Sequence, residues 1–147
     1  MTDLFKLRRD FVQRFDIDIP AQPRRDLSAM RMWETLLAEE WAEFQTALAD
    51  YKSGDEAEGR IRDMAEVTAE AVDVLNVIVG LLLSQGLPVE AMTQAIHEAN
   101  MRKCDNGRIV RRNDGKILKP EGWQPADKEA VIRSALPANR AVHNEIF

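Results

Sequence analysis

At 147 residues and 45% apolar content, the chain is sized for a single domain, residues 1–147, with a genuine hydrophobic core. A net charge of -5 argues against general affinity for nucleic acid. One cysteine, Cys104, excludes an intrachain disulfide and suits a reducing, cytoplasmic setting. Residues 1–20 alternate charged with apolar side chains and lack the apolar centre of a signal peptide. The longest apolar stretch, residues 71–83, is too short for a membrane span and is interrupted by Asp73 and Asn76, so no membrane partner is expected.

Phe5, Leu7, Phe11, Val12 and Phe15 recur at helical spacing and predict a first helix over residues 3–15. Residues 16–23 carry Pro20 and Pro23, which hold the chain extended or in turns. Asp26 or Ser28 can cap the next helix, predicted over residues 28–51, a run without Gly or Pro that Gly54 ends. Ser53 followed by Glu56 reads as a capping box leading into a helix over residues 60–84. Gly86 suits the position just past that helix, and Pro88 the first position of another, over residues 88–103, with Val89, Met92, Ile96 and Ala99 on its inner side. Residues 108–112 and 116–118 flank Asn113-Asp114-Gly115, a turn sequence for a small hairpin or loop. A short helix over residues 126–136 precedes the tail. The whole reads as an all-α bundle of four to five helices.

Two of these helices carry acid where packing disfavours it. In the first, Trp33, Leu36, Leu37, Trp41, Phe44, Ala47 and Leu48 share one apolar arc; Glu40 falls in its middle, with Glu39 and Glu43 at its edge. The tryptophans read as core or subunit-contact residues. In the second, apolar residues run nearly all the way round, the pattern of a buried helix, yet Asp63, Glu66, Glu70 and Asp73 form one acidic stripe. Like charges at spacings of three and four destabilise a helix, and carboxylates pushed toward a core need a positive partner. Two such helices together can hold hard divalent cations through oxygen ligands, as Mg²⁺ and Mn²⁺ prefer. Charge is also segregated along the chain: residues 34–73 hold twelve acids and three bases, residues 100–119 seven bases and two acids.

Other chemistries lack their residues. A di-iron bundle requires Glu-x-x-His on two helices, whereas the two histidines, His97 and His143, follow no Glu by three and lie outside the acidic helices. Neither Cys104 nor any serine has a paired base in an evident motif, and no glycine-rich phosphate loop occurs.

Glu39-Glu40-Trp41-Ala42-Glu43 followed by Glu70-Ala71-Val72-Asp73 resembles the E-E-x-x-E … E-x-x-D pattern of the all-α nucleoside triphosphate pyrophosphohydrolases. That superfamily includes the MazG proteins, dimeric dUTPases, dCTP pyrophosphatases and phosphoribosyl-ATP pyrophosphohydrolase. Asn100-Met-Arg-Lys103 is similar to its N-x-x-K element. Asp114-Gly-Lys116-Ile-Leu-Lys119-Pro and Gly122-Trp-Gln-Pro resemble the C-terminal segment of the phosphoribosyl-ATP-pyrophosphohydrolase-like branch, which Arg31 ahead of Leu36-Leu37 also fits. The resemblance covers roughly residues 11–127. Where members often carry a histidine in the first helix, this chain has Val12 or Gln13.

The resemblance implies Glu40, Glu43, Glu70 and Asp73 as Mg²⁺ ligands, with Mn²⁺ able to substitute. It implies Glu39 as the residue that orients and deprotonates the attacking water or binds a further metal. Asn76, Asn100, Lys103, Lys116 and Lys119 would meet substrate, the lysines through phosphate charge. Read from the residues alone, Asn100 could equally cap a helix end, and each lysine could be solvated surface. The implied activity is a Mg²⁺-dependent conversion of a (deoxy)nucleoside triphosphate to the monophosphate and pyrophosphate, as in clearing dUTP or a noncanonical nucleotide. The implied assembly is a homodimer that completes the core, with pairing into tetramers left open. Phosphoribosyl-ATP hydrolysis is the alternative within enzymes, and a non-catalytic, metal-binding helical partner protein the alternative outside them.

Overall fold

The structure, a computed structural model, describes residues 2–54 and 59–138. Among them are five helices and no strand: α1 (Leu4–Arg14), α2 (Leu27–Ser53), α3 (Gly59–Ser84), α4 (Val89–Met101) and α5 (Lys128–Ala135). The chain is all-α, as the hydrophobic periodicity requires.

Aspartates set three of the starts. The Asp3 carboxylate accepts from the N–H groups of Phe5 and Lys6, Asp26 from Ala29, and Asp127 from Ala130. Each such cap satisfies otherwise orphaned N–H groups and contributes about 1 kcal/mol. Asp26 is therefore the cap of α2, and Ser28 lies inside its first turn. At the end of α3 the Leu87 N–H reaches Leu82 O and the Gly86 N–H reaches Leu83 O, while Gly86 takes φ +62°. This is a Schellman closure, which the missing Cβ of glycine permits. Pro88 occupies the cap position before α4, one residue earlier than expected. The expected Ser53–Glu56 capping box falls partly outside the described residues; Ser53 itself ends α2, its hydroxyl donating to Asp50 O.

The chain forms two compact units, Met1–Leu87 and Pro88–Phe147. In the first, α2 and α3 are the principal packing pair and α1 lies on α3. The pair is antiparallel, because Asp26 at the start of α2 meets Gln85 just past the end of α3, while Gly54 past the end of α2 meets Asp63 near the start of α3. Val12, Trp33, Ala47, Val74, Val77, Val79 and Leu83 are buried. Trp33 packs on Gly80, where a Cβ would come within 2.3 Å of the indole ring.

Gln85 locks the other end of the pair. Its buried side chain accepts from the Asp26 N–H at 2.7 Å and donates to Asp26 O at 2.9 Å, and its own carbonyl accepts from Arg24 N–H. The amide thus closes a two-way bridge onto the backbone at the start of α2.

Two expectations need correction. The helix read as buried on all sides leaves Met64, Val72, Leu75 and Ile78 exposed in the single chain, because α2 and α1 cover only part of its circumference. By length and composition α3 also meets the requirements of a membrane span, which its uninterrupted apolar run does not; a third of that stretch is buried within the chain.

In the second unit α4 packs with α5. Val89 and Ala99 of α4 are buried, whereas Ile96, expected inward, is 41% exposed. The segment between the helices holds two isolated bridges instead of strands, Asp105↔Arg108 and Arg111↔Ile117. The expected hairpin or loop is a loop closed by one bridge around Asn113-Asp114-Gly115, with the Arg112 guanidinium held on the Asp114 carboxylate. Asn106 (φ +46°) and Gly107 (φ +74°) form a second tight turn, of the kind in which both central residues are left-handed.

Candidate functional site

The acidic residues of α2 and α3 converge. Glu40 and Glu43 lie three residues apart on one face of α2, and Glu70 projects from α3; one carboxylate oxygen from each lies within 4.8 Å of the other two. The antiparallel packing produces this, since it brings the middle of α2 beside the middle of α3. Among the described residues, no ion pair engages any of the three. The Glu40 carboxyl is pushed above the usual carboxylate range, first by burial and then by the negative charges of Glu43, Asp73 and Glu39. Glu70 is pushed up likewise, by desolvation first and then by Glu43, Asp73, Glu40 and Glu66.

A repulsive, unpaired group of this kind makes chemical sense with a cation between its members. Oxygen ligands to a hard divalent ion lie about 2.0–2.6 Å from it, so donors on opposite sides are separated by about 4–5 Å. The span of the three glutamates fits that requirement, and an all-carboxylate donor set suits Mg²⁺ or Mn²⁺ rather than a thiol- or imidazole-loving metal. Beside the cluster opens a groove of about 360 Å³ lined by Ala42, Glu43, Thr46, Asp50, Glu66 and Glu70.

Asp73, the fourth acid of the motif, stands outside the trio but acts electrostatically on both Glu40 and Glu70. Its carboxylate accepts from the Asn76 amide at 3.5 Å. Glu39, next to Glu40 in the chain, is exposed and acts on the cluster through its charge on Glu40. Asp63 is drawn away from the group: it is buried and takes the Arg62 guanidinium.

The sequence reading missed Arg8. This α1 residue lies close enough to Asp73 to feel its charge, its guanidinium stacks 4.1 Å from the Phe11 ring centroid, and its Nε is buried with no hydrogen-bond partner. Burial pulls its pKa down and Asp73 opposes that pull. The only sequence signal was spacing, Arg8 lying three and four residues before Phe11 and the buried Val12.

The basic candidates lie in the second unit. Asn100 is exposed in the last turn of α4, and its carbonyl accepts from the N–H groups of Arg102 and Lys103. Lys103 and Lys119, sixteen residues apart, converge on Trp123, with Nζ atoms 5.6 and 4.7 Å from its ring centroid. Lys116 is exposed; its N–H donates to the Asp114 carboxylate.

An all-α chain whose antiparallel helix pair gathers unpaired glutamates at the E-E-x-x-E … E-x-x-D positions falls in the class of all-α nucleotide pyrophosphohydrolases. The family model of phosphoribosyl-ATP pyrophosphohydrolase matches residues 8–100. The chain belongs to that family, within the MazG-like all-α superfamily. No curated protein matches the chain. The protein is accordingly an enzyme, a pyrophosphohydrolase acting on a nucleotide. The matched part holds all the carboxylates of the cluster and ends at Asn100; Lys103, Lys116 and Lys119 lie beyond it.

Proposed function

We propose that the protein is a Mg²⁺-dependent nucleoside triphosphate pyrophosphohydrolase that converts a (deoxy)nucleoside triphosphate and water to the monophosphate and pyrophosphate. Its role is house-cleaning of the cytoplasmic nucleotide pool, with dUTP or a noncanonical deoxynucleotide as substrate. The observation that carries this reading is the convergence of Glu40, Glu43 and Glu70 within 4.8 Å with no cationic partner among the described residues. Those three, with Asp73, hold the metal, which supplies neutralisation of polyphosphate charge and polarisation of a phosphoryl oxygen. Glu39, exposed at the edge of the cluster, orients the attacking water and accepts its proton. Asn76 steadies Asp73 through its amide and presents a polar edge to substrate. Lys103 and Lys119, with Asn100 and Lys116, bind phosphate charge. A second copy of the chain covers the stripe of Val72, Leu75 and Ile78, making the working form a homodimer.

Phosphoribosyl-ATP is the second candidate substrate, and the family match favours it. It carries the same polyphosphate ester, so the carboxylates would act on it in the same way. Both substrates present polyphosphate charge to Lys103 and Lys119, so the basic segment beyond the matched residues is compatible with either.

The deciding experiment measures monophosphate and pyrophosphate release from a panel of canonical and modified nucleoside triphosphates and from phosphoribosyl-ATP. It is run with Mg²⁺, with EDTA, and with the Glu40→Gln and Asp73→Asn variants. Turnover of one triphosphate, abolished by EDTA and both variants, supports the proposal and names the base. Turnover of phosphoribosyl-ATP alone replaces it with the second reading. A folded, metal-binding protein that consumes neither points to the non-catalytic helical partner.

A further inference from the structure

Arg8 and the carboxylate cluster belong to the same compact unit, Met1–Leu87, in which α1 packs on α3. Val12, one turn beyond Arg8 on the same face of α1, is buried. The helix itself offers Arg8 no counter-charge, since the residues three and four positions away on either side are Phe5, Leu4, Phe11 and Val12, all apolar. Lys6 shows the contrast, its ammonium pairing with Asp10 at 3.1 Å.

The Arg8 guanidinium rests over the Phe11 ring, 4.1 Å from its centroid, which covers one face and leaves the hydrogen-bonding edge to be used. Among the described residues that edge makes no ion pair and no hydrogen bond, and Nε is sealed from solvent without a partner. Buried donors without partners are rare, and one on a charged group is costly. Asp73 is near enough for its charge to act on Arg8, yet it does not touch it. A cation in the carboxylate cluster sharpens the imbalance. With Asp73 committed to the metal, Arg8 faces a second positive charge, and only an anion between the two relieves that repulsion.

We infer that Arg8 is a substrate-binding residue, its guanidinium taking an oxygen of the phosphate chain of the substrate whose metal Asp73 helps to hold. This rests on the metal-and-polyphosphate reading given above. The planar fork of arginine matches a phosphate edge, and the free Nε and its neighbouring amino groups are the donors it supplies. Arg8 thus brings a phosphate-binding cation to the carboxylates from within their own unit.

The test compares full-length wild type with Arg8→Gln and Arg8→Lys. Calorimetry measures binding of Mg²⁺ alone, then of inorganic triphosphate at saturating Mg²⁺, a probe that carries the phosphate chain without base or sugar. Arg8→Gln should weaken triphosphate binding about 10- to 100-fold, the scale of a lost hydrogen bond between charged groups. Its Mg²⁺ binding should be as tight as that of wild type or tighter, because a cation has left the neighbourhood of Asp73. Arg8→Lys, which keeps the charge without the fork, should fall between. Equal triphosphate binding by wild type and Arg8→Gln, or binding by neither, would overturn the inference. So would joint loss of Mg²⁺ and triphosphate binding, the mark of a residue that only supports the fold. If circular dichroism shows Arg8→Gln unfolded, Arg8→Lys is read in its place, and an affinity equal to wild type overturns the inference. Steady-state kinetics separate this from the hydrolase reading. Wild type that turns over nucleotide with a KM unchanged in Arg8→Gln removes Arg8 from the site and keeps the enzyme. Wild type that hydrolyses nothing, yet shows the expected binding pattern, removes the enzyme and keeps Arg8 as a phosphate ligand.

Discussion

The indole of Trp33 packs against Gly80, and no other residue could occupy position 80 without displacing it: an added Cβ would sit 2.3 Å from two ring carbons. This contact lets α2 and α3 approach closely, and their approach brings Glu40 and Glu43 to Glu70. Gly80→Ala should therefore destabilise the protein by about 1–3 kcal/mol, as overpacking does, despite the better helix propensity of alanine. Urea unfolding followed by tryptophan fluorescence measures it. An unchanged midpoint would mean that the helix pair tolerates a wider spacing.

Gln85→Ala removes both halves of the amide bridge to Asp26 and leaves its N–H and carbonyl without those partners. The expected loss is about 1–3 kcal/mol, the cost of stranding the part-buried Asp26 N–H, since Asp26 O keeps the Met30 N–H. Gln85→Glu should be the more informative variant, since it keeps the acceptor for the Asp26 N–H but loses the donor to Asp26 O. Chemical denaturation of the three proteins should rank them wild type, then Gln85→Glu, then Gln85→Ala.

The raised pKa values of Glu40 and Glu70 carry a signed consequence. Between the ordinary carboxylate value and the raised folded-state value, the folded protein binds more protons than the unfolded chain. In metal-free buffer these two groups should thus lower stability as pH rises through that window. Mg²⁺ should reverse the trend, because it binds the deprotonated carboxylates of the folded state. Thermal melts across mildly acidic to neutral pH, with EDTA and with Mg²⁺, test both signs.

Glu43→Gln removes one negative charge from the cluster. Without metal it should melt at or above the wild-type temperature, since it relieves repulsion on both Glu40 and Glu70. Its Mg²⁺-dependent stabilisation should shrink, and its activity fall by roughly 100-fold or more, as for loss of a ligand that organises a catalytic metal. A variant as active as wild type would remove Glu43 from the site.

Leu75 is 48% exposed in the single chain, on the same open side of α3 as Val72 and Ile78. Leu75→Glu should convert a homodimer to a monomer in light scattering, while leaving helix content by circular dichroism unchanged. Wild type that is already monomeric at micromolar concentration would exclude the homodimer.

Much of this protein was legible in its sequence because helices are local objects. Asp26 and Gly86 mark helix ends in the sequence, since a cap depends only on neighbours three or four positions away, and the first and last helices start within a residue or two of where the periodicity puts them. The carboxylates stood out for the same reason, as charges at helical spacing on apolar faces. The turn at Asn113-Asp114-Gly115 was a local signal too; whether its flanks pair as strands was left open, and one bridge without further pairing makes a loop. What the sequence alone determined is thus an all-α chain, its helix ends and two acidic stripes. Only the tertiary structure decided which faces meet. It placed Trp33 on Gly80 and left Trp41 48% exposed, although both lie on one predicted arc, because a partner helix covers less of that arc than the periodicity implies. It selected Glu40, Glu43 and Glu70 from the stripes, set Arg8 beside Asp73, and drew Lys103 and Lys119 to Trp123. Each of these depends on the separation between elements distant in the chain, a quantity set by packing volume and buried hydrogen bonds that no local pattern encodes.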